Sequence, residues 1–250
     1  MPRSAEEIAA GLRERITSGE LQPGDRLPTM QDLADEHGVN RNTASKALTI
    51  LKSEGLAEYK GGRAGTVVRD RRVVRIPFSR YSKVLAPDGT RGPWETATHE
   101  QGLDGRMVAV SVDTTPAPDD VAQALDIDPG TPAVRRSRHA TIGDTVVQIQ
   151  HAWYPPDIAD TAGLANPGKV EGGVFGAMAA VGLQPAEADE TVTARMPSKE
   201  EAEQLSIGAA VPVLLVERVT RDRDGQRLEL LQIIGAADRL ALMYDKLPLQ

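Results

Sequence analysis

Cysteine is missing from this 250-residue chain and aromatic side chains make up only 3% of it, which closes off several possibilities before any motif is read. Without thiols there is no disulfide and no thiolate for a metal, as suits a reducing compartment. With two Trp, four Tyr and two Phe, the core has to be aliphatic. The four histidines, His37, His99, His139 and His151, include no pair at metal-ligand spacing on a helix or strand. No uninterrupted apolar run reaches the roughly 18 residues that a membrane span needs. The opening MPRSAEEIAAGLRERI reads as an amphipathic helix with Ser4 as its N-cap and Glu7 as its third residue, not as a signal-peptide core. Cytoplasmic residence and no membrane partner are therefore expected. A nucleophile elbow and a dinucleotide fingerprint are also absent, and the glycines of GGRAG lack the lysine and hydroxyl residue of a phosphate loop. The chain is expected to be no enzyme and to need no cofactor.

Positive charge is in short supply and unevenly spread. The whole chain carries a net charge of -7, yet residues 38 to 75 hold nine basic side chains against three acidic ones. Residues 76 to 250 hold 16 basic and 25 acidic side chains. An acidic protein that gathers its cations into one small module is suited to present that module to a polyanion, while the remainder is repelled by it.

The local pattern of that module agrees. Thr29 followed by Asp32 predicts a helix start, with Leu33 and Ala34 on one face; Gly38 supplies the left-handed residue where the chain reverses, and Val39 plugs the crevice. Asn40 caps a second helix whose apolar positions, Ala44, Ala47, Leu48 and Leu51, fall on one arc. The opposite arc is Asn42, Ser45, Lys46, Thr49 and Lys52, with Arg41 at the start, all able to donate to phosphates or guanine edges. Leu56 to Lys60 and Thr66 to Arg69 alternate as two short strands around the tip Gly61, Gly62, Arg63, Ala64, Gly65, where Lys60 and Arg63 are placed to meet phosphate. Helix, turn, helix and basic hairpin in that order outline a winged helix-turn-helix.

Residues 1–70 resemble the DNA-binding domain of the GntR family of bacterial transcription regulators. The likeness is carried by Ile8, Leu12 and Ile16, then SGELQPGDRLPT, GVNRNTASKALTILKSEGL and GGRAGTVV. It implies DNA contacts at Thr29, Gln31, Asn40, Arg41, Asn42, Thr43, Ser45, Lys46, Lys60, Gly62 and Arg63. Two positions depart from the family pattern: Thr29, Met30, Gln31 and Asp32 stand where a Ser-Glu-Arg-Glu run is common, and Ser45 where arginine is frequent. A different operator sequence should follow.

A composition shift marks a connector over residues 71–80, with an irregular stretch beyond it carrying Pro87, Gly89, Gly92 and Pro93. Residues 81–250 are read as a second domain, and it repeats itself. DDVAQALDIDPGTPAVRRSRHA from Asp119 aligns with EEAEQLSIGAAVPVLLVERVTR near Glu200 at an offset of 80, matching Leu125 with Leu205, Pro132 with Pro212 and Arg138 with Arg218. Each copy reads as helix, turn and strand, then a second strand: Thr145 to Ala152 in one, Leu228 to Ile234 in the other. Two such units related by a pseudo-twofold predict an α+β architecture, an antiparallel sheet with flanking helices. GTPAVRRSRHA, VQIQHAWYPPDIA, GGVFGAMAAVGLQP and ARMPSKEEAEQLSIGAAVPVLLVERVTRDRDGQRLE resemble the UTRA ligand-binding domain, of chorismate-lyase-like fold, that marks the HutC subfamily.

Arg136 and Arg138, two apart on a strand, share a face and are candidates to clamp one anion. The loop of Gly172, Gly173, Val174 and Phe175 precedes a helix and offers free amides; sugar-phosphate binders of the family place a serine and a tyrosine there, so Gly173 and Phe175 point toward a more apolar effector. Tyr154 and Glu229 complete the candidate effector set. Together the two resemblances imply a homodimeric transcription regulator, a repressor being the expected direction, bound to a palindromic double-stranded operator and modulated by a small-molecule effector. The alternatives are a constitutive regulator without effector, and a small-molecule enzyme carrying a DNA-binding tether.

Overall fold

The computed structural model describes residues 3–77, 92–168, 170 and 172–244; the end of the expected connector, 78–80, and the stretch to residue 91 lie outside them. The chain divides into two compact units, Met1–Arg72 with Met196–Pro212, and Val73–Arg195 with Val213–Gln250.

Three helices and a hairpin build the first unit. In α1 (Ala5–Thr17), Ser4 and Glu7 form a reciprocal capping box, and Ile8, Ala9 and Leu12 are buried. Thr29 and Asp32 repeat the device at α2 (Met30–His37), and the Thr29 hydroxyl and amide hold the Asp32 carboxyl below its usual range. Gly38 ends α2 at φ 64°, a left-handed conformation in which a side chain would be strained. The Asn40 side chain accepts the Thr43 amide at 2.8 Å to start α3 (Arg41–Ser53), which buries Ala44, Ala47, Leu48 and Leu51. Those four pack with Ile8, Leu12, Leu27 and Leu33 into one aliphatic cluster, so the opposite arc of α3 has to face outward. The hairpin pairs β1 (Ala57–Tyr59) with β2 (Thr66–Val68). Residues 24–27 act as a third strand beside it, through Leu27 N to Thr66 O at 2.9 Å and Val68 N to Asp25 O at 2.8 Å.

The second unit begins at β3 (Val74–Pro77), inside the stretch expected to be connector, and continues through α4 (Pro93–His99) to β4 (Gly105–Pro116). Next come α5 (Asp119–Leu125), β5 (Pro132–Ile142), β6 (Thr145–Tyr154), α6 (Pro156–Thr161), α7 (Gly173–Ala180) and β7 (Glu187–Arg195). The chain then contributes α8 (Lys199–Gln204) to the first unit, and returns as β8 (Val213–Arg221), β9 (Arg227–Ala236) and β10 (Leu240–Met243). In the first unit that inserted segment places the Ala210 amide 3.1 Å from the Ser53 carbonyl at the end of α3. A methyl added at Gly208 would overlap the Lys52 and Ser53 carbonyl oxygens.

Six strands form one antiparallel sheet in the order β4-β5-β6-β9-β8-β7. The 80-residue repeat is visible in it: β5 corresponds to β8 and β6 to β9, with the pseudo-twofold between the central strands. On one face α6 and α7 cover Ala152, Tyr154, Leu231 and Ile233 through Ile158, Ala159 and Met178. Helix α5 covers Trp153 and Leu230 on the other. A parallel pair of β3 and β10 joins α4 in a third cluster around Trp94. The edge strand β7 carries Glu187, Asp189, Glu190 and Arg195, which discourages further pairing.

Candidate functional site

Two surfaces concentrate polar groups, one in each unit. In the first, α3 presents Arg41, Asn42, Lys46 and Thr49 as exposed residues, with Ser45 and Lys52 half-buried beside them. At the tip of the hairpin Gly61, Gly62 and Gly65 have φ of 77°, 47° and 65°, so the loop turns tightly and leaves Arg63 fully projecting. The Arg41 Nε donates to Gln31 Oε1 at 2.5 Å, and Gln31 Nε2 donates to Asp35 Oδ1 at 2.6 Å.

Several of the cations counted in the sequence are buried or already paired. Arg69 is buried and donates to the Gly55 carbonyl, Arg72 is paired with Asp70, and Lys60 lies 3.1 Å from Glu58. Lys52 sits over the Tyr59 ring at 5.6 Å. On α3 and the hairpin tip, the exposed cations with no carboxylate beside them among the described residues are therefore Arg41, Lys46 and Arg63, and Arg71 is exposed further along the chain. The fold adds two cations that the window from residue 38 left out. Arg3 lines a cleft of about 450 Å³ with Asn40, Thr43 and Lys46, and Arg26 borders Gly65 at the hairpin tip.

In the second unit, β5 places Arg136 opposite Ala152 and Arg138 opposite Gln150, so both arginines stand on the face covered by α6 and α7. Their surroundings differ. Arg136 donates to the carbonyls of Leu164 at 2.7 Å, Asn166 at 2.8 Å and Gly168 at 2.5 Å, and burial lowers its pKa. Arg138 makes no such set of bonds, and its Nε is buried without a hydrogen-bond partner. The row of Arg136 runs through Ala152 and Leu231 to Arg218 on β8 and Glu190 on β7.

Arg218 binds Glu229 at 2.8 Å, and Glu229 accepts from the Tyr154 hydroxyl at 2.8 Å, all three buried. Burial, with the Glu229 carboxylate next to it, raises the Tyr154 phenol well above its ordinary pKa. The Phe175 ring lies 5.5 Å from the Arg218 guanidinium. Gly172 and Gly173 open α7 with φ of 70° and 73° and no side-chain cap, followed by half-buried Val174 and Phe175. Glu190 Oε2 and Thr220 Oγ1 are further buried polar atoms on this face without a hydrogen-bond partner among the described residues. Sequence reasoning passed over Arg218, Glu190 and Thr220. The repeat offered a signal for Arg218, by matching it to Arg138.

This pairing of a winged helix-turn-helix with a six-stranded effector-type sheet defines a class of ligand-responsive regulators. The family of bacterial regulatory proteins of the gntR type matches residues 4–68, and the UTRA domain matches residues 100–241. The chain belongs to the GntR family of transcription regulators, in the HutC subfamily that carries a UTRA domain, and not to a family of enzymes. It is 28% identical over 244 residues to an uncharacterized HTH-type transcriptional regulator of Streptomyces coelicolor, covering 96% of this chain and 91% of that one. It is 25% identical to the HTH-type transcriptional repressor PhnF of Mycolicibacterium smegmatis, over 96% of this chain and 93% of PhnF. A crystallised GntR-family transcriptional regulator superposes with a TM-score of 0.62 at 26% identity, covering 99% of this chain and 98% of the other. Among the described residues no helix is long and apolar enough to cross a membrane.

Proposed function

We propose that this chain is a cytoplasmic repressor that binds a palindromic operator as a homodimer, with a small-molecule effector on the second unit tuning its affinity. The observation that carries the DNA reading is the outward arc of α3, Arg41, Asn42 and Lys46, joined in one unit to the projecting Arg63 of the hairpin. Arg41 and Asn42 meet base edges in the major groove; Lys46, Lys60 and Arg63 hold phosphate, and a dimer sets two such helices about 34 Å apart. Thr29, Asn40 and Thr43 shape the helix ends that approach the backbone, while Ser45 and Gly62 allow close contact. The repressor direction is supported by the likeness to PhnF, a transcriptional repressor.

On the second unit, the effector reading is supported by the buried atoms Arg138 Nε, Glu190 Oε2 and Thr220 Oγ1, which have no hydrogen-bond partner among the described residues on the face covered by α6 and α7. Arg136 already gives three bonds to carbonyls of residues 164–168, so it shapes that loop, and Arg138 is the cation that meets the ligand. The Gly173 amide, expected to be free, already donates to the Val170 carbonyl at 3.0 Å, which leaves Val174, the Phe175 ring and the Tyr154–Glu229 pair as the neighbours on this covered face. A ligand that binds two conformational states unequally shifts operator affinity by that difference.

The test is operator binding across a range of salt. Arg41→Ala relaxes preference at one base pair by about 1–3 kcal/mol. Lys46→Ala and Arg63→Ala weaken every duplex alike and each flatten the salt slope by about 0.9. Lys60→Ala does less, because Glu58 already holds that ammonium. Parent-like binding by all four variants overturns the interface. Calorimetry against a varied metabolite panel, repeated with Arg138→Ala, tests the effector, and sedimentation on operator DNA tests the dimer.

A further inference from the structure

Among the outward residues of α3, Arg41 is the one tied to a neighbouring helix. Its Nε donates to Gln31 Oε1 at 2.5 Å, and the other end of the same amide, Nε2, donates to Asp35 Oδ1 at 2.6 Å. Gln31 and Asp35 are one turn apart on α2, a spacing at which a glutamine and an aspartate meet without strain. The chemistry of the two ends leaves the amide no choice. A carboxylate only accepts and a guanidinium only donates, so the amide NH2 has to face Asp35 and its oxygen has to face Arg41. All three side chains lie on the exposed surface, where nothing else in the core dictates their orientation.

The consequence for Arg41 is geometric. A guanidinium reads the O6 and N7 of guanine either with its Nε edge or with its two terminal nitrogens. With Nε already engaged, the terminal pair is the edge left for a base. We propose that Gln31 and Asp35 are positioning residues that hold Arg41 for end-on readout and thereby set the strength of base preference at its position. Gln31 is neutral, so the role is one of orientation and not of phosphate attraction. This rests on the reading of α3 as the base-contacting helix.

Operators are selected from random duplexes with the full-length parent and with Gln31→Ala, Asp35→Ala, Asp35→Glu and Arg41→Ala, and affinities are measured at matched salt. Gln31→Ala should lower discrimination at the Arg41-dependent base pair about tenfold, corresponding to about 1.4 kcal/mol, with the salt slope unchanged. Asp35→Ala should follow in the same direction at the same base pair, and Asp35→Glu, which keeps the acceptor, should restore most of it. In an Arg41→Ala background neither change should add anything. Thermal melts confirm that each variant is folded, as expected for exposed side chains.

Full discrimination by folded Gln31→Ala overturns the proposal, as does an equal loss with and without Arg41, which would make Gln31 a base reader in its own right. If Arg41→Ala itself relaxes no position while the variants still bind DNA, the base-contact reading fails first, and the relay falls with it.

Discussion

Glu229→Ala is the sharpest perturbation available in the second unit. The Glu229 and Arg218 side chains are 3% and 6% exposed, and Tyr154 is fully covered. Removing the carboxylate takes a buried anionic partner away from the Arg218 guanidinium and the acceptor away from the Tyr154 hydroxyl. Truncating one partner of a buried ion pair costs about 3–5 kcal/mol. For a domain of this size that lowers the unfolding midpoint by on the order of 10 °C. Both tryptophans, Trp94 and Trp153, are buried in this unit, so their fluorescence follows its unfolding without contribution from the DNA-binding unit. Urea titrations followed by tryptophan emission, with far-ultraviolet dichroism in parallel, should show the emission transition shifted to lower denaturant. Glu229→Gln keeps the volume and one acceptor and should fall between parent and alanine variant. A Glu229→Ala chain within about 1 kcal/mol of the parent would put it among ordinary surface changes and refute the view that Arg218 depends on this carboxylate.

Two further expectations concern the same unit. Folded Tyr154 keeps its proton to a higher pH than the unfolded chain, so its contribution is fully present below pH of about 10 and is lost as pH rises beyond it. Tyr154→Phe should flatten that alkaline decline in stability and cost about 1 kcal/mol at neutral pH, both measurable by denaturant titration. Gly105→Ala should destabilise by about 1–3 kcal/mol, because the new methyl would overlap the buried Thr98 side chain; a midpoint equal to the parent's in thermal melts contradicts that close approach.

What the sequence revealed was what is decided locally. Ser4 with Glu7, Thr29 with Asp32 and Asn40 with Thr43 are contacts three residues apart, and each is legible as a cap because both partners lie in one turn. Strand pairing was legible through the repeat, although β6 and β9 run two residues past the expected ends at Ala152 and Ile234. Contacts between distant residues left no such trace. Val74 pairs with Leu240 in parallel, and neither neighbourhood signals the other. Arg136 and Arg138 look alike in sequence, and only the carbonyls of residues 164, 166 and 168 distinguish them. The basic window overstated its outward charge in part for the same reason, since Arg69 meets the Gly55 carbonyl only once the hairpin has folded.

The discontinuity of the first unit bears on how the protein can be taken apart. A fragment stopping at Arg72 would lack the Ala210 amide that meets the last turn of α3. A fragment starting at Val73 would separate Leu205, Ile207 and Val211, buried in the whole chain, from the rest of the unit to which they belong, on a loop between two sheet strands. Clean excision of either half calls for grafting residues 196–212 onto the amino-terminal piece through a tether, and bridging Arg195 to Val213 with a short turn in the other.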